Sequence, residues 1–179
     1  MRKWNFCAGP AAIPEEVLKE AQNELLEWGI SGSSVMEVSH RSDLFSEVAA
    51  SSTNDIKALL NIGNDHEVLF LQGGATLQFT SVPLNFADKD SVVSYLNTGL
   101  WSKKAIKAAS KHASVNIAAS SEDENYTFVP NTQEWIVDAD SIYFHYVMNE
   151  TIQGVAIRDP ISFEIPTICD MSSCILSEE

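Results

Sequence analysis

The sequence predicts an α/β fold, a mostly parallel sheet flanked by helices. Three observations carry that expectation. Short apolar runs alternate with helical patterns through the middle of the chain. Each run ends in a glycine or polar group, as strands do where they open onto a crevice. Of the 179 residues, 45% are hydrophobic and 20% charged, enough to bury a sizeable core. The formal charge of −14 comes from 25 acidic against 11 basic residues and disfavours nucleic acid or an anionic membrane surface as partner. The 3 cysteines show no metal spacing, and their odd number argues against a disulfide framework. Reduced thiols, the lack of a signal peptide and the lack of a membrane-length apolar run lead to a cytoplasmic expectation.

Residues 1–13, MRKWNFCAGPAAI, have no clear periodicity and read as an irregular arm ahead of a domain spanning 14–179. Pro14 suits the start of a helix, Glu15 and Glu16 complement its dipole, and Val17, Ala21, Leu25 and Trp28 recur at helical spacing up to Gly29. Ser42 is an N-cap for a helix from Asp43 to Leu60, with Leu44 or Phe45, Val48, Ser52, Ile56 and Leu59-Leu60 as its apolar stripe. Val68–Leu71 reads as a buried strand that turns through Gly73-Gly74 into a helix beginning near Thr76. Pro83 and Asp88-Lys89-Asp90 mark a loop. Ser91–Leu96 is a strand, Asn97-Thr98-Gly99 a turn, and Trp101–Lys111 a helix with 4 lysines. Ala113–Ala118 is a further strand, and Tyr126–Pro130 a short strand or extended turn. Ser141–Val147 is strongly apolar and aromatic, hence a strand, and Asn149-Glu150-Thr151 follows it. Gly154–Ile157 is a brief strand or hairpin arm. Pro166–Asp170 is the last strand, ending on an acid.

A strand that turns through Gly-Gly into a helix aims unpaired backbone N–H groups and a positive dipole end at one spot, which suits a phosphate. The same pattern also serves as a plain turn using glycine for its φ freedom. Trp101 is placed either to cover a ligand or to anchor its own helix. Asp170 is either a ligand partner or a cap, and His40-Arg41 either an anion site or a solvated pair. If the strand ends converge, the set suits pyridoxal phosphate. Gly74-Ala75-Thr76 holds the phosphate, Trp101 stacks on the ring, Thr151 bonds a ring substituent, and Asp170 pairs with the ring nitrogen. The chain lacks the third glycine of a dinucleotide fingerprint, the G-K-[ST] of a P-loop, a zinc signature and a G-x-S-x-G elbow. Its 4 histidines form no metal pair.

Six stretches resemble the N-terminal part of the phosphoserine aminotransferase family, class V pyridoxal phosphate enzymes of fold type I. They are NFCAGPAAIPEEVL (Asn5–Leu18), SVMEVSHRS (Ser34–Ser42), LFLQGGATLQFTSVPLN (Leu69–Asn85), NTGLWSKKA (Asn97–Ala105), HYVMNETIQGVAI (His145–Ile157) and DMSSCILS (Asp170–Ser177). The resemblance implies amino transfer between L-glutamate and 3-phosphohydroxypyruvate, giving 2-oxoglutarate and O-phosphoserine for serine biosynthesis. It implies a homodimer, and backbone amides of Ala75 and Thr76 on the cofactor phosphate. Trp101, Thr151 and Asp170 take the cofactor roles named above. His40 and Arg41 hold the substrate's distal anion, and a guanidinium suits such a group. Thr76 stands where some members carry an arginine. The family's Schiff-base lysine lies beyond DMSSCILS, and no lysine here has a matching context. Residues 14–179 are therefore expected to be an incomplete large domain, without that lysine and the small C-terminal domain. Two other expectations stand beside this one, a non-catalytic fragment or paralogue acting as a binding or dimerisation module, and a different class V enzyme.

Overall fold

The structure, a computed structural model, describes residues 2–177. They fall into two compact units, Met1–Phe70 and Leu71–Glu179.

In the first unit residues 2–13 carry no regular element. Helix α1 (Glu15–Asn23) follows Pro14 at its N-cap, with Glu15 and Glu16 in its first turn. It stops sooner than the Val17-to-Trp28 spacing predicts, and Gly29 sits in a later turn with φ 54°. The chain there is held by local bonds instead, Trp28 N donating to Ser33 O at 2.9 Å and Ser31 Oγ to Trp28 O at 2.6 Å. Helix α2 (Asp43–Leu59) is capped as expected, Ser42 Oγ accepting from Phe45 N. Its apolar stripe is only half-covered. Leu44, Phe45 and Ile56 are half-buried, while Val48, Leu59 and Leu60 are exposed.

The second unit holds the sheet. Helix α3 (Gly74–Phe86) precedes strand β1 (Val92–Asn97), helix α4 (Leu100–Ala109) and strand β2 (Ser114–Ser120). Strand β3 (Ser141–Val147) leads into a small antiparallel hairpin, β4 (Asn149–Glu150) with β5 (Val155–Ala156), and β6 (Thr167–Asp170) ends the sheet. The four long strands run parallel in the order β2-β1-β3-β6. From β1 the chain crosses to β2 on one side, and from β3 to β6 on the other. The order of connection therefore reverses between β1 and β3, where open α/β sheets form their ligand crevice.

Alternation along the strands separates two cores. Phe79, Val93, Tyr95, Ala105, Ala109 and Tyr143 pack on the face covered by α3 and α4. Leu96, Ala118, Phe144 and Tyr146 pack on the other face, beneath Trp135, Ile157, Ile161 and Phe163 from irregular segments. Each fully buried side chain of this size contributes about 1.5–3 kcal/mol. Tyr95 and Tyr143 carry their hydroxyls inward but bond them to each other at 2.8 Å, so neither is left unsatisfied.

Two further sequence expectations fail, and a third is narrowed. Val68–Leu71 forms no strand, and Leu69 (71%), Phe70 (64%) and Leu71 (64%) lie open to solvent. An apolar run becomes a strand only beside a partner, and no described strand pairs with it. Pro83 lies inside α3 rather than in a loop; it is fully buried, and Ala87 N bonds its carbonyl at 2.9 Å. Of the two readings of Tyr126–Pro130, a short strand or an extended turn, the strand falls away, because Asn125 (φ 54°) and Tyr126 (φ 57°) both turn through the left-handed region.

Candidate active site

Because the strands are parallel, their carboxyl ends meet at one edge. Asn97 pairs with Ser120 in register, and Val147 with Asp170. The turn after β1 and the hairpin after β3 face each other across the reversal point.

The two are joined by Glu150, which is almost fully buried (1% exposed). Its Oε2 accepts from Trp101 N and its Oε1 from Ser102 N, both at 2.8 Å. Gln153 Oε1 accepts from Leu100 N at 3.1 Å. Together they satisfy the first turn of α4, whose dipole favours a carboxylate there. Gly99 makes room for this. A Cβ on it would lie 2.4 Å from Glu150 Cδ and 2.6 Å from Oε2. Ser102 Oγ folds back to accept from Thr98 N and Gly99 N at 2.9 Å each.

Trp101 and Thr151, expected at one crevice, are in direct contact. The indole Nε1–H donates to Thr151 Oγ1 at 2.8 Å. Lys104 Nζ stands 4.4 Å from the centroid of the indole, over one face. Asp170, half-buried at the end of β6, accepts from Ser172 N at 3.0 Å and from Ser172 Oγ, both on Oδ1. Its Oδ2 has no hydrogen-bond partner among the described residues. Asn149 Nδ2 donates to Ser173 Oγ at 2.9 Å, tying the hairpin that carries Thr151 to the turn that follows Asp170.

Ala75 and Thr76 lie in the first turn of α3. Gly73, its N-cap, has φ 91° and Gly74 φ 57°, values that favour glycine. No side chain caps this end, and the first intrahelical bond is Leu77 N to Gly73 O at 3.2 Å. The amides of Gly74, Ala75 and Thr76 are thus left for an outside acceptor. Of the two helix ends, α4 is already closed by a carboxylate and α3 is open. An open helix end of this kind suits an anion.

His40 and Arg41 belong to the first unit. Both are exposed on the turn before α2, with Arg41 N donating to Ser39 Oγ at 3.2 Å.

Two residues escaped the sequence reading. The sequence marks Glu150 only as one of a polar group after β3, since nothing in a sequence says that a carboxylate returns to a helix end some 50 residues earlier. The sequence marks His145 only as part of a strand. It is buried, stacks on Tyr95 at 4.7 Å between centroids, and meets the edge of Phe79 at 6.3 Å. Its Nδ1 has no hydrogen-bond partner among the described residues. Burial pushes its pKa down to about 4 against a smaller upward pull from Asp170, so the ring is neutral at physiological pH. Alternation within SIYFHYV was the available signal for His145, because it shares the face of Tyr143. Cys169, beside Asp170, is pushed up to about 11, chiefly by burial, and stays a thiol at neutral pH. Among the described residues no group of three or more metal-ligating side chains gathers, and no helix is long and apolar enough to cross a membrane.

The donor set fits a phosphorylated, protonated pyridine. It offers an open helix N-terminus for the phosphate, a held aromatic ring, a hydroxyl, and a carboxylate oxygen without a partner among the described residues.

A family model described as aminotransferase class-V matches residues 3–176. A phosphoserine aminotransferase of Pseudomonas aeruginosa (strain LESB58) is 49% identical over 177 residues, which are 98% of this chain and 49% of that protein. A phosphoserine aminotransferase structure used to follow radiation damage of its Schiff base superposes with a TM-score of 0.94 at 42% identity, covering 98% of this chain and 49% of that one. The PLP-bound phosphoserine aminotransferase of Trichomonas vaginalis gives 0.89 at 40% identity, covering 95% of this chain and 48% of that one. The chain thus spans about half the length of the curated relatives it matches. On the family match along nearly all its length, and on the fold it shares with solved members, the chain belongs to the class-V aminotransferases.

Proposed function

We propose that the protein carrying these residues is a phosphoserine aminotransferase. It moves an amino group between L-glutamate and 3-phosphohydroxypyruvate, giving O-phospho-L-serine and 2-oxoglutarate in serine biosynthesis. The observation that carries the reading is the Trp101–Thr151 bond at the reversal point, with Asp170 ending a strand at the same sheet edge. Pyridoxal phosphate, when bound, supplies the electron sink that makes the Cα–H bond of an amino acid labile.

The residues then divide the work of holding that group. The amides of Ala75 and Thr76 bind its phosphate at the open end of α3. Trp101 offers the indole face opposite Lys104 for stacking. Thr151 accepts from the indole N–H, so its own proton is free to be donated to a ring oxygen. The unpartnered Oδ2 of Asp170 takes the pyridine N–H and keeps that nitrogen charged. His40 and Arg41 hold the distal anion of the substrate, in a homodimer in the cytoplasm. Thiols at Cys7 and Cys169 that form no disulfide agree with that compartment.

The test is to titrate full-length protein carrying these residues with pyridoxal phosphate and follow its absorbance. Added L-glutamate should shift the band, and 3-phosphohydroxypyruvate should then yield 2-oxoglutarate and phosphoserine in step. A protein that binds the cofactor yet shows neither shift nor product would end this reading.

A further inference from the structure

Trp101 is gripped at both ends by two consecutive residues of another element. Its backbone amide donates to Glu150 and its indole N–H to Thr151, each at 2.8 Å. Behind them Gly154 N closes the hairpin turn onto Glu150 O at 2.8 Å. The loop Trp101–Glu150–Thr151–Trp101 is therefore a closed ring of two hydrogen bonds and the intervening covalent chain. While Glu150 stays seated, it keeps the Trp101 backbone and Thr151 at the spacing that the bond between indole and hydroxyl needs.

We propose that Glu150 is a positioning residue that sets Trp101 and Thr151 as one rigid pair against the cofactor ring, acting through them without touching that ring. The inference rests on the pyridoxal phosphate reading above. A residue that merely caps α4 would have no such reach. Gln153 provides the contrast, because it caps the same helix end through Leu100 N and holds no part of Trp101. A buried carboxylate is the group for this task, since it accepts two amides at once and is favoured by the helix dipole.

The experiment compares wild type with Glu150→Gln and Gln153→Ala. Exchange of the Trp101 indole N–H, measured by 15N NMR without cofactor, is one readout; the dissociation constant for pyridoxal phosphate is the other. In Glu150→Gln the amide presents one acceptor and one donor to two N–H groups. Indole exchange should then be faster, and the dissociation constant higher, by about tenfold each, as for the loss of one charge-assisted bond. Gln153→Ala should leave both near wild type. If Glu150→Gln lowers only the melting temperature, with exchange and affinity unchanged, the residue is a plain cap and the proposal falls. Should that variant not fold, Glu150→Asp carries the test. It keeps the charge but is one methylene shorter, so wild-type values in it would likewise overturn the proposal. Failure of the wild type to bind pyridoxal phosphate would sink the functional reading instead, and the exchange measurement would still decide whether Glu150 holds Trp101.

Discussion

Replacing Gly99 by alanine tests how tightly the two sides of the crevice are locked. The backbone at Gly99 is extended (φ 171°), so alanine meets no conformational penalty there. The whole cost is steric. The new Cβ would stand 2.4 Å from Glu150 Cδ, 2.6 Å from Oε2 and 2.7 Å from Cγ. Two responses are open. Glu150 can leave, losing two charge-assisted bonds, which costs about 3–6 kcal/mol. Alternatively α4 and the hairpin can part by about 1 Å, enough to bring the 2.4 Å approach to an ordinary contact, at an overpacking strain of about 1–3 kcal/mol. The cheaper route sets the value, so Gly99→Ala should cost about 2–3 kcal/mol. For a chain of this size that lowers the melting temperature by about 4–12 °C. Circular dichroism at 222 nm during heating measures it, with Glu150→Ala and the double variant completing a cycle. Removing Glu150 removes the clash, so the double variant should be more stable than the sum of the singles implies. A Gly99→Ala protein within about 0.5 kcal/mol of wild type, the ordinary scatter for substitutions without such a feature, would refute the reasoning. Strict additivity with Glu150→Ala would refute it as well.

Three other outcomes are expected. His145 has a folded pKa of about 4 against an ordinary value of 6.5, so the unfolded chain binds its proton first. Its contribution is complete above pH 6.5 and is lost as pH falls toward 4, by about 3 kcal/mol in all. Urea unfolding at pH 7 and pH 4.5 should therefore show a smaller loss for His145→Phe than for wild type. An unchanged difference would place the titration elsewhere. Asp170→Asn keeps the carbonyl that Ser172 needs but loses the charge, and should raise the dissociation constant for pyridoxal phosphate by about 10- to 100-fold in a fluorescence titration; a wild-type constant would remove Asp170 from the cofactor. Thr76→Ala should barely alter that constant, whereas Thr76→Pro, which deletes the amide, should raise it strongly. Equal losses in the two variants would mean that the Thr76 side chain, and not its amide, does the binding.

Elements with a strong local signal were legible in the sequence. Ser42 capped α2, SIYFHYV became β3 to the residue, and PTICD became β6, because capping and dense β-branched or aromatic runs are decided within a few residues. The family was likewise readable in the motifs, which also put forward Ala75, Thr76, Trp101, Thr151 and Asp170 as candidates. Val68–Leu71 has the composition of a strand but no ladder partner, and Pro83 is tolerated in a helix where its ring is buried. Neither fact is local.

By itself, then, the sequence determined the α/β alternation, the family and the residue types at the strand ends, all of which depend on neighbours along the chain. The tertiary structure alone decided that Trp101 meets Thr151, that Glu150 closes α4 while α3 stays open, and that His145 is buried and neutral. These depend on which strands lie side by side. The order β2-β1-β3-β6 brings turns about fifty residues apart within hydrogen-bond reach, and burial then sets what their charges can do.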